Sequence, residues 1–321
     1  MNITEPNYFK ECSILGYPHF IIEKFPSSKY EVNQLIACVA MCILTIPVIL
    51  LNGITVLTIF KSQRLKAKVC HFPVLLQSMA DLSVGLLTLP LFSYLFLSEV
   101  YGSLDCVISF TFNTIAFIPW GLSLAGLCAL TCERYMGIIH PIPHLNYVTK
   151  KLFLIYAAGV LLVTFVIVPL AVVSATFYYI FCGVYAIIPM LLHTYCYSRI
   201  LFSTRKKLRR AGTSVSSDDL GTGTSKKSPN RVGQRRNSLM EIKLAKSCAL
   251  VVVTFYVFCI PGEFLNIFYL EKDFILYRVV ITWYVTALGV NTILNSVIFF
   301  WTRPLLRNEA FKVLKGLFAK K

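Results

Sequence analysis

Seven long stretches of the chain are dominated by apolar residues, roughly 33–60, 72–97, 106–138, 152–175, 178–202, 242–270 and 276–301, and each carries few charges. About 20 apolar residues carry a helix across the hydrocarbon core of a bilayer. Lipid offers no partner for backbone N–H and C=O groups, so spans of this length close their hydrogen bonds internally as helices; barrel strands would be short and alternating. Prolines 47, 90, 119, 169, 189 and 261 fall within the spans, which membrane helices tolerate when neighbouring groups satisfy the freed carbonyls. The pattern therefore predicts an all-α integral membrane bundle of seven helices over 33–301, preceded by a polar and aromatic segment, 1–32.

Between spans, the pattern changes sharply. Only Ser174 to Phe177 is available as a turn between the fourth and fifth spans, whereas 203–240 is rich in Ser, Gly, Thr, Lys and Arg without apolar periodicity. Such a composition cannot bury a core, and disorder is expected there. After the seventh span, Arg303-Pro304 opens a short tail, 302–321. In it Leu306, Ala310, Leu314, Leu317 and Phe318 recur at helical spacing, with Arg307, Lys312 and Lys315 on the other flank. That is the pattern of an amphipathic eighth helix lying in the membrane interface.

Charge orients the bundle. The chain is 56% hydrophobic and 14% charged, with a formal net charge of +16. Of its 31 Lys and Arg, only Lys10, Lys24, Lys29, Lys272 and Arg278 lie in one set of connections and helix ends. Cations resist translocation and gain from anionic inner-leaflet lipids, so the rich set is predicted to be cytoplasmic and the amino terminus extracellular, in a multi-pass protein of the plasma membrane. Membrane lipid thus accounts for the charge, and nucleic acid is not expected as a partner. Residues 1–30 contain no apolar run, so the first span is expected to double as the insertion signal. Asn2-Ile3-Thr4 is a glycosylation sequon on the outer side. Most of the eleven cysteines sit inside apolar runs; Cys12, Cys106 and Cys182 lie nearer the outer face.

Amide and carboxyl groups at bilayer depth are expensive and face the bundle interior. Asn52, Asp81, Ser123, Asn291 and Asn295 are such groups. A lone carboxylate among Leu, Val and Met must be neutralised or paired with a cation. Taken in order, Leu51-Asn52 in span one, Met79-Ala80-Asp81-Leu82 in span two and Glu133-Arg134-Tyr135 closing span three resemble rhodopsin-like (class A) G-protein-coupled receptors. Pro189 with Tyr197, Phe255 with Pro261, and Asn291 with Asn295 extend that resemblance from about residue 35 to 318.

The resemblance implies roles. Asp81, Ser123, Asn291 and Asn295 would form an allosteric sodium pocket, with Asn52 in the same activation network. Oxygen donors around one carboxylate suit a hard cation. Arg134, flanked by Glu133 and Tyr135, would pair with Glu241 in the resting state and meet Tyr197 in the open one, so that span six swings outward and engages a heterotrimeric G protein. Phe255, Cys259 and Pro261 would form the hinge of that span. Departures stand beside these matches. Asn295-Ser296-Val297-Ile298-Phe299 replaces the family's Asn-Pro-x-x-Tyr, Cys259 stands where a tryptophan is usual, and span four has no tryptophan. For the outer disulfide, Cys106–Cys182, Cys12–Cys106 and free thiols all stay open.

For the extracellular ligand the sequence speaks mainly by exclusion. Ala116 occupies the position where amine receptors carry an aspartate, and span seven has no lysine for a retinal Schiff base. Asn113, Trp120, Glu263, Asn266 and Arg278 are the polar candidates of the outer half, Glu263 foremost, with Arg278 as an alternative partner for its carboxylate. Arg235-Arg236-Asn237-Ser238 resembles a basophilic kinase site, which would place phosphate on Ser238 near the G-protein face. No nucleophile–base pair, metal cluster or phosphate loop is present, so an enzyme is not expected, and no cofactor beyond the sodium ion is implied. Two other readings remain: a receptor-like protein that binds without signalling, and a transporter, although no internal repeat is found.

Overall fold

A computed structural model describes residues 8–14, 17–173, 175–218, 249–261, 264–265 and 274–318. The chain opens with an antiparallel hairpin, β1 (Phe9–Ile14) and β2 (Tyr17–Ile22), in which Cys12 lies opposite His19. The hairpin adds a short β element ahead of the helical bundle expected over 33–301. An isolated two-stranded hairpin is marginal in water, and this one is secured at both strands. Ile21 and Ile22 are buried, as is Phe25 beyond them, and a disulfide joins Cys12 to Cys106 at the start of the third span. Because Cys106 is committed to Cys12, the Cys106–Cys182 pairing does not form.

Helices α1 (Ser28–Lys61), α3 (Phe72–Ser83), α4 (Leu89–Val100), α5 (Cys106–Ile139), α7 (Lys150–Val173), α8 (Ala175–Asp218), α9 (Ala249–Phe258) and α10 (Phe274–Thr302) account for the apolar runs. Short helices α2 (Gln63–Ala67) and α6 (Pro141–Tyr147) occupy connections, and α11 (Pro304–Phe318) follows the last run. Among the described residues, four segments are long and apolar enough to cross a membrane: Ser28–Lys61, Val69–Val100, Ile118–Ile139 and Ile275–Thr302. A fifth is added if α6 and the start of α7, which meet at a 76° bend, count as one.

Burial on these helices faces inward only. Met41 and Val48 of α1 are fully buried, while Ile36, Ile43, Ile46 and Leu50 on its other flank are more than half exposed. Contiguous apolar surface on that scale is unstable in water and natural in lipid. Two glycines permit the closest approaches. A Cβ on Gly85 would lie 2.7 Å from Val48 Cγ1, and one on Gly126 would lie 2.7 Å from Gln77 Oε1 and 3.1 Å from Gln77 Cα. Between α3 and α4 the second span passes through a π turn, Val84–Thr88, followed by Pro90.

The expected loop at 203–240 starts differently: α8 continues to Asp218. Extending an existing helix carries no nucleation cost, and Lys, Arg and Leu are good helix formers. The remainder of that loop lies outside the described residues.

Candidate functional site

Three polar assemblies lie along the bundle between the hairpin end and the opposite, basic end. The middle one is built around Asp81, which is completely buried on α3. Its Oδ1 accepts hydrogen bonds from Ser123 Oγ at 2.6 Å and from Gln77 Nε2 at 2.9 Å, and its Oδ2 accepts one from Asn295 Nδ2 at 3.2 Å. Gln77 Nε2 also donates to Ser123 Oγ at 2.9 Å. Three helices therefore converge on one carboxylate. Beside it, Ser296 Oγ donates to Asn52 Oδ1 at 2.6 Å, while Asn52 Nδ2 returns to the Val48 carbonyl of its own helix. Asn291 is buried in the same region.

The sequence indicated Asn52, Asp81, Ser123 and Asn295, and the structure brings them together. It missed Gln77 and Ser296. Gln77 stands one helical turn before Asp81, an i, i+4 spacing that places both side chains on one face. As for Ser296, it sits where the family carries proline, and the exchange restores an N–H and adds a hydroxyl that ties α10 to α1. Phe299, in place of the family's tyrosine, is fully buried, and the Arg303 guanidinium lies 5.7 Å from its ring centroid. The donors around Asp81 suit a hard cation in kind: one carboxylate, one hydroxyl, and the amide oxygens Gln77 Oε1, Asn291 Oδ1 and Asn295 Oδ1, which are buried without a hydrogen-bond partner. Gln77 Nε2 competes for the same carboxylate oxygen.

At the hairpin end, Glu99 and Arg278 form a buried ion pair between α4 and α10. Gln34 Nε2 donates to Glu99 Oε2 at 3.3 Å, and Thr282 Oγ1 donates to Gln34 Oε1 at 3.0 Å, which closes a ring of side chains from α1, α4 and α10. The Arg278 guanidinium also lies 5.3 Å from the Phe96 ring centroid. Arg278 was expected as a ligand contact or as the partner of Glu263. Among the described residues it is engaged by Glu99, which neutralises it within the core. Glu263 and Asn266, with the side chain of Asn113, lie outside the described residues. Trp120 is buried in the apolar core.

At the basic end, Arg134 pairs with its neighbour Glu133, and the other Glu133 oxygen lies 3.2 Å from His144 Nε2 on α6. His144 was not indicated by sequence; α6 folds back beneath α5 and brings it there. Tyr135 packs against Tyr195, with ring centroids 6.0 Å apart. Tyr197, Phe255 and Cys259 are buried in the core. Glu241, Ser238 and Asn2 lie outside the described residues. Pro261 lies within the described part of the sixth span.

Tyrosines link the remaining helices where the usual tryptophan is missing. Tyr156 of α7 donates to the Ala125 carbonyl at 2.9 Å, Tyr185 of α8 to the Gly121 carbonyl at 2.8 Å, and Tyr256 of α9 to the Met190 carbonyl at 2.7 Å.

A multi-pass helical membrane protein with a buried carboxylate at mid-bundle and an acid–arginine pair at one end is the class these features define. Residues 51–177 match the sequence model of the family "7 transmembrane receptor (rhodopsin family)", a match consistent with a rhodopsin-like receptor of class A. The matched segment includes Asn52, Asp81, Ser123 and Glu133-Arg134-Tyr135. Comparison with curated proteins gives no match.

Proposed function

We propose that the chain is a seven-helix receptor of the plasma membrane that binds an extracellular ligand and activates a heterotrimeric G protein through outward motion of the sixth span. The observation that carries this reading is the buried polar cluster in which Ser296 meets Asn52 and Asp81 meets Gln77, Ser123 and Asn295, with a separate Glu133–Arg134 pair at the basic end of the same bundle. A cluster of buried polar groups weakens packing relative to an apolar core, and a membrane protein keeps one where helices must exchange partners. In this reading the amino terminus and hairpin are extracellular, 33–301 forms the membrane domain, and α11 lies at the cytoplasmic interface. Arg134 leaves Glu133, and Glu241 where that residue pairs with it, to open the G-protein face. Asp81, Ser123, Asn291 and Asn295 would hold a sodium ion, whose charge would neutralise Asp81 and favour the resting bundle. Glu263, Asn266, Asn113 and Trp120 remain the candidates for ligand contact.

Nucleotide exchange on a panel of G proteins, in membranes containing the chain, tests the proposal. Basal exchange above that of mock membranes, abolished by Arg134→Ala at equal surface expression, is expected. Exchange at the mock level on every G protein, with and without candidate ligands, would favour a second reading: a binding protein that does not signal. The Asn52–Ser296 bond motivates that alternative, because it fixes α1 to α10 at the position where the family carries a proline kink.

A further inference from the structure

Gln77 is fully buried on α3, one helical turn before Asp81. Its amide nitrogen closes a triangle with two neighbouring oxygens. Nε2 donates to Asp81 Oδ1 at 2.9 Å and to Ser123 Oγ at 2.9 Å, while the Ser123 hydroxyl donates to Asp81 Oδ1 at 2.6 Å. A glutamine amide has two N–H donors, and both are engaged here. Its carbonyl oxygen, Oε1, is buried and accepts no hydrogen bond.

The amide is confined to this seat. Gly126 of α5 lies against it so closely that a Cβ there would stand 2.7 Å from Gln77 Oε1 and 3.1 Å from Gln77 Cα. Withdrawing the side chain toward α5 would part the two helices. Turning the amide over in place would set Oε1 against Asp81 Oδ1, acceptor against acceptor. A hard cation held by Asp81 and Ser123 needs the same two oxygens, with its charge where the two N–H hydrogens lie. The amide supplies only partial positive charge. It is covalently placed, however, whereas an ion must leave water to enter a buried site. Asn291 Oδ1 and Asn295 Oδ1, buried without hydrogen-bond partners, are the oxygens left to complete the shell of an ion that does enter.

We infer that Gln77 sets the ion affinity of the middle cluster: its amide is a built-in neutral stand-in for the cation, which joins α3 to α5 at low sodium and makes the ion a weak occupant. The inference rests on the reading of this cluster as a sodium site and is independent of any coupling to a G protein.

The test melts the full chain in detergent over a sodium chloride series, with choline chloride holding the ionic strength constant. The rise of Tm with sodium yields a Kd by linkage, without reference to signalling. Gln77→Leu removes both N–H donors and keeps an apolar side chain at the α5 contact. In choline chloride alone it should melt below the parent, because Asp81 and Ser123 each lose a donor. Its sodium Kd should be about tenfold lower than the parent's, the change expected when two hydrogen bonds no longer oppose the ion. Gln77→Met, closer to glutamine in length, should show the same tightening and serves where the leucine variant does not fold. Adding Asp81→Asn to either variant should abolish the sodium dependence. A Kd equal to the parent's in both variants, or a higher one as expected if Oε1 ligates the ion, would overturn the inference and leave the sodium reading standing. Melts independent of sodium in the parent and both variants would overturn the two together.

Discussion

Glu99 and Asp81 lie on the same span, both enclosed by protein, and the bundle accommodates them in opposite ways. Glu99 faces a full countercharge, Arg278, with Gln34 completing its hydrogen bonds. Asp81 meets, among the described residues, neutral donors alone: Ser123, Gln77 and Asn295. A buried ion pair is rigid because removing either member strands the other charge, whereas a carboxylate held by neutral groups can change its protonation or its ion without leaving a partner exposed. The hairpin end therefore has the chemistry of a fixed joint, and the middle that of an adjustable one.

Replacements at the two carboxylates separate these characters. Glu99→Gln should lower stability by about 3–5 kcal/mol, since Arg278 is left buried without its countercharge. Thermal unfolding of detergent-solubilised protein measures this, and Glu99→Gln combined with Arg278→Met should recover much of the loss. A smaller effect, about 1–3 kcal/mol, is expected for Gly126→Ala, whose methyl must displace Gln77 from between Asp81 and Ser123; Gln77→Ala in the same background should restore part of the melting temperature. Asp81→Asn should change stability by less than about 1.5 kcal/mol in sodium-free buffer, because the new amide oxygen can still accept from Ser123 and Gln77 and its NH2 group can donate to Asn295 Oδ1 once the Asn295 amide turns over. A loss as large as that of Glu99→Gln would erase the contrast. The parent should melt higher in sodium chloride than in choline chloride, and Asp81→Asn should not. Least affected will be Ser296→Ala, at about 0.6 kcal/mol, a typical value for one interhelical hydrogen bond in a membrane protein; basal nucleotide exchange should rise if that bond restrains α10.

Much of this was legible in the sequence because lipid imposes a simple rule on length and charge. The apolar runs became helices, and Asn52, Asp81, Ser123 and Asn295 could be singled out because amides and carboxylates are rare among Leu and Val. Gln34 and Glu99 escaped notice for the opposite reason. Both lie near span ends, where a polar side chain can reach water, and nothing local shows that they meet Arg278 across the bundle. His144 was hidden by the fold-back of α6. The hairpin was overlooked because its two strands are short and its stability depends on a disulfide to a residue 94 positions away.

The π turn between α3 and α4 accounts for how one span serves both joints. In an unbroken α-helix the eighteen residues from Asp81 to Glu99 would make about five whole revolutions and return the two carboxylates to the same azimuth. A π turn inserts one extra residue and so rotates everything beyond it by about 100°. Asp81 consequently looks toward α5 and α10, while Glu99 is aimed between α1 and α10. A one-residue deletion within Val84–Thr88 that restores regular α-helical turns would remove only the extra residue and keep Glu99 in phase with Arg278. A one-residue deletion elsewhere between Asp81 and Glu99, with the π turn kept, would swing Glu99 off Arg278.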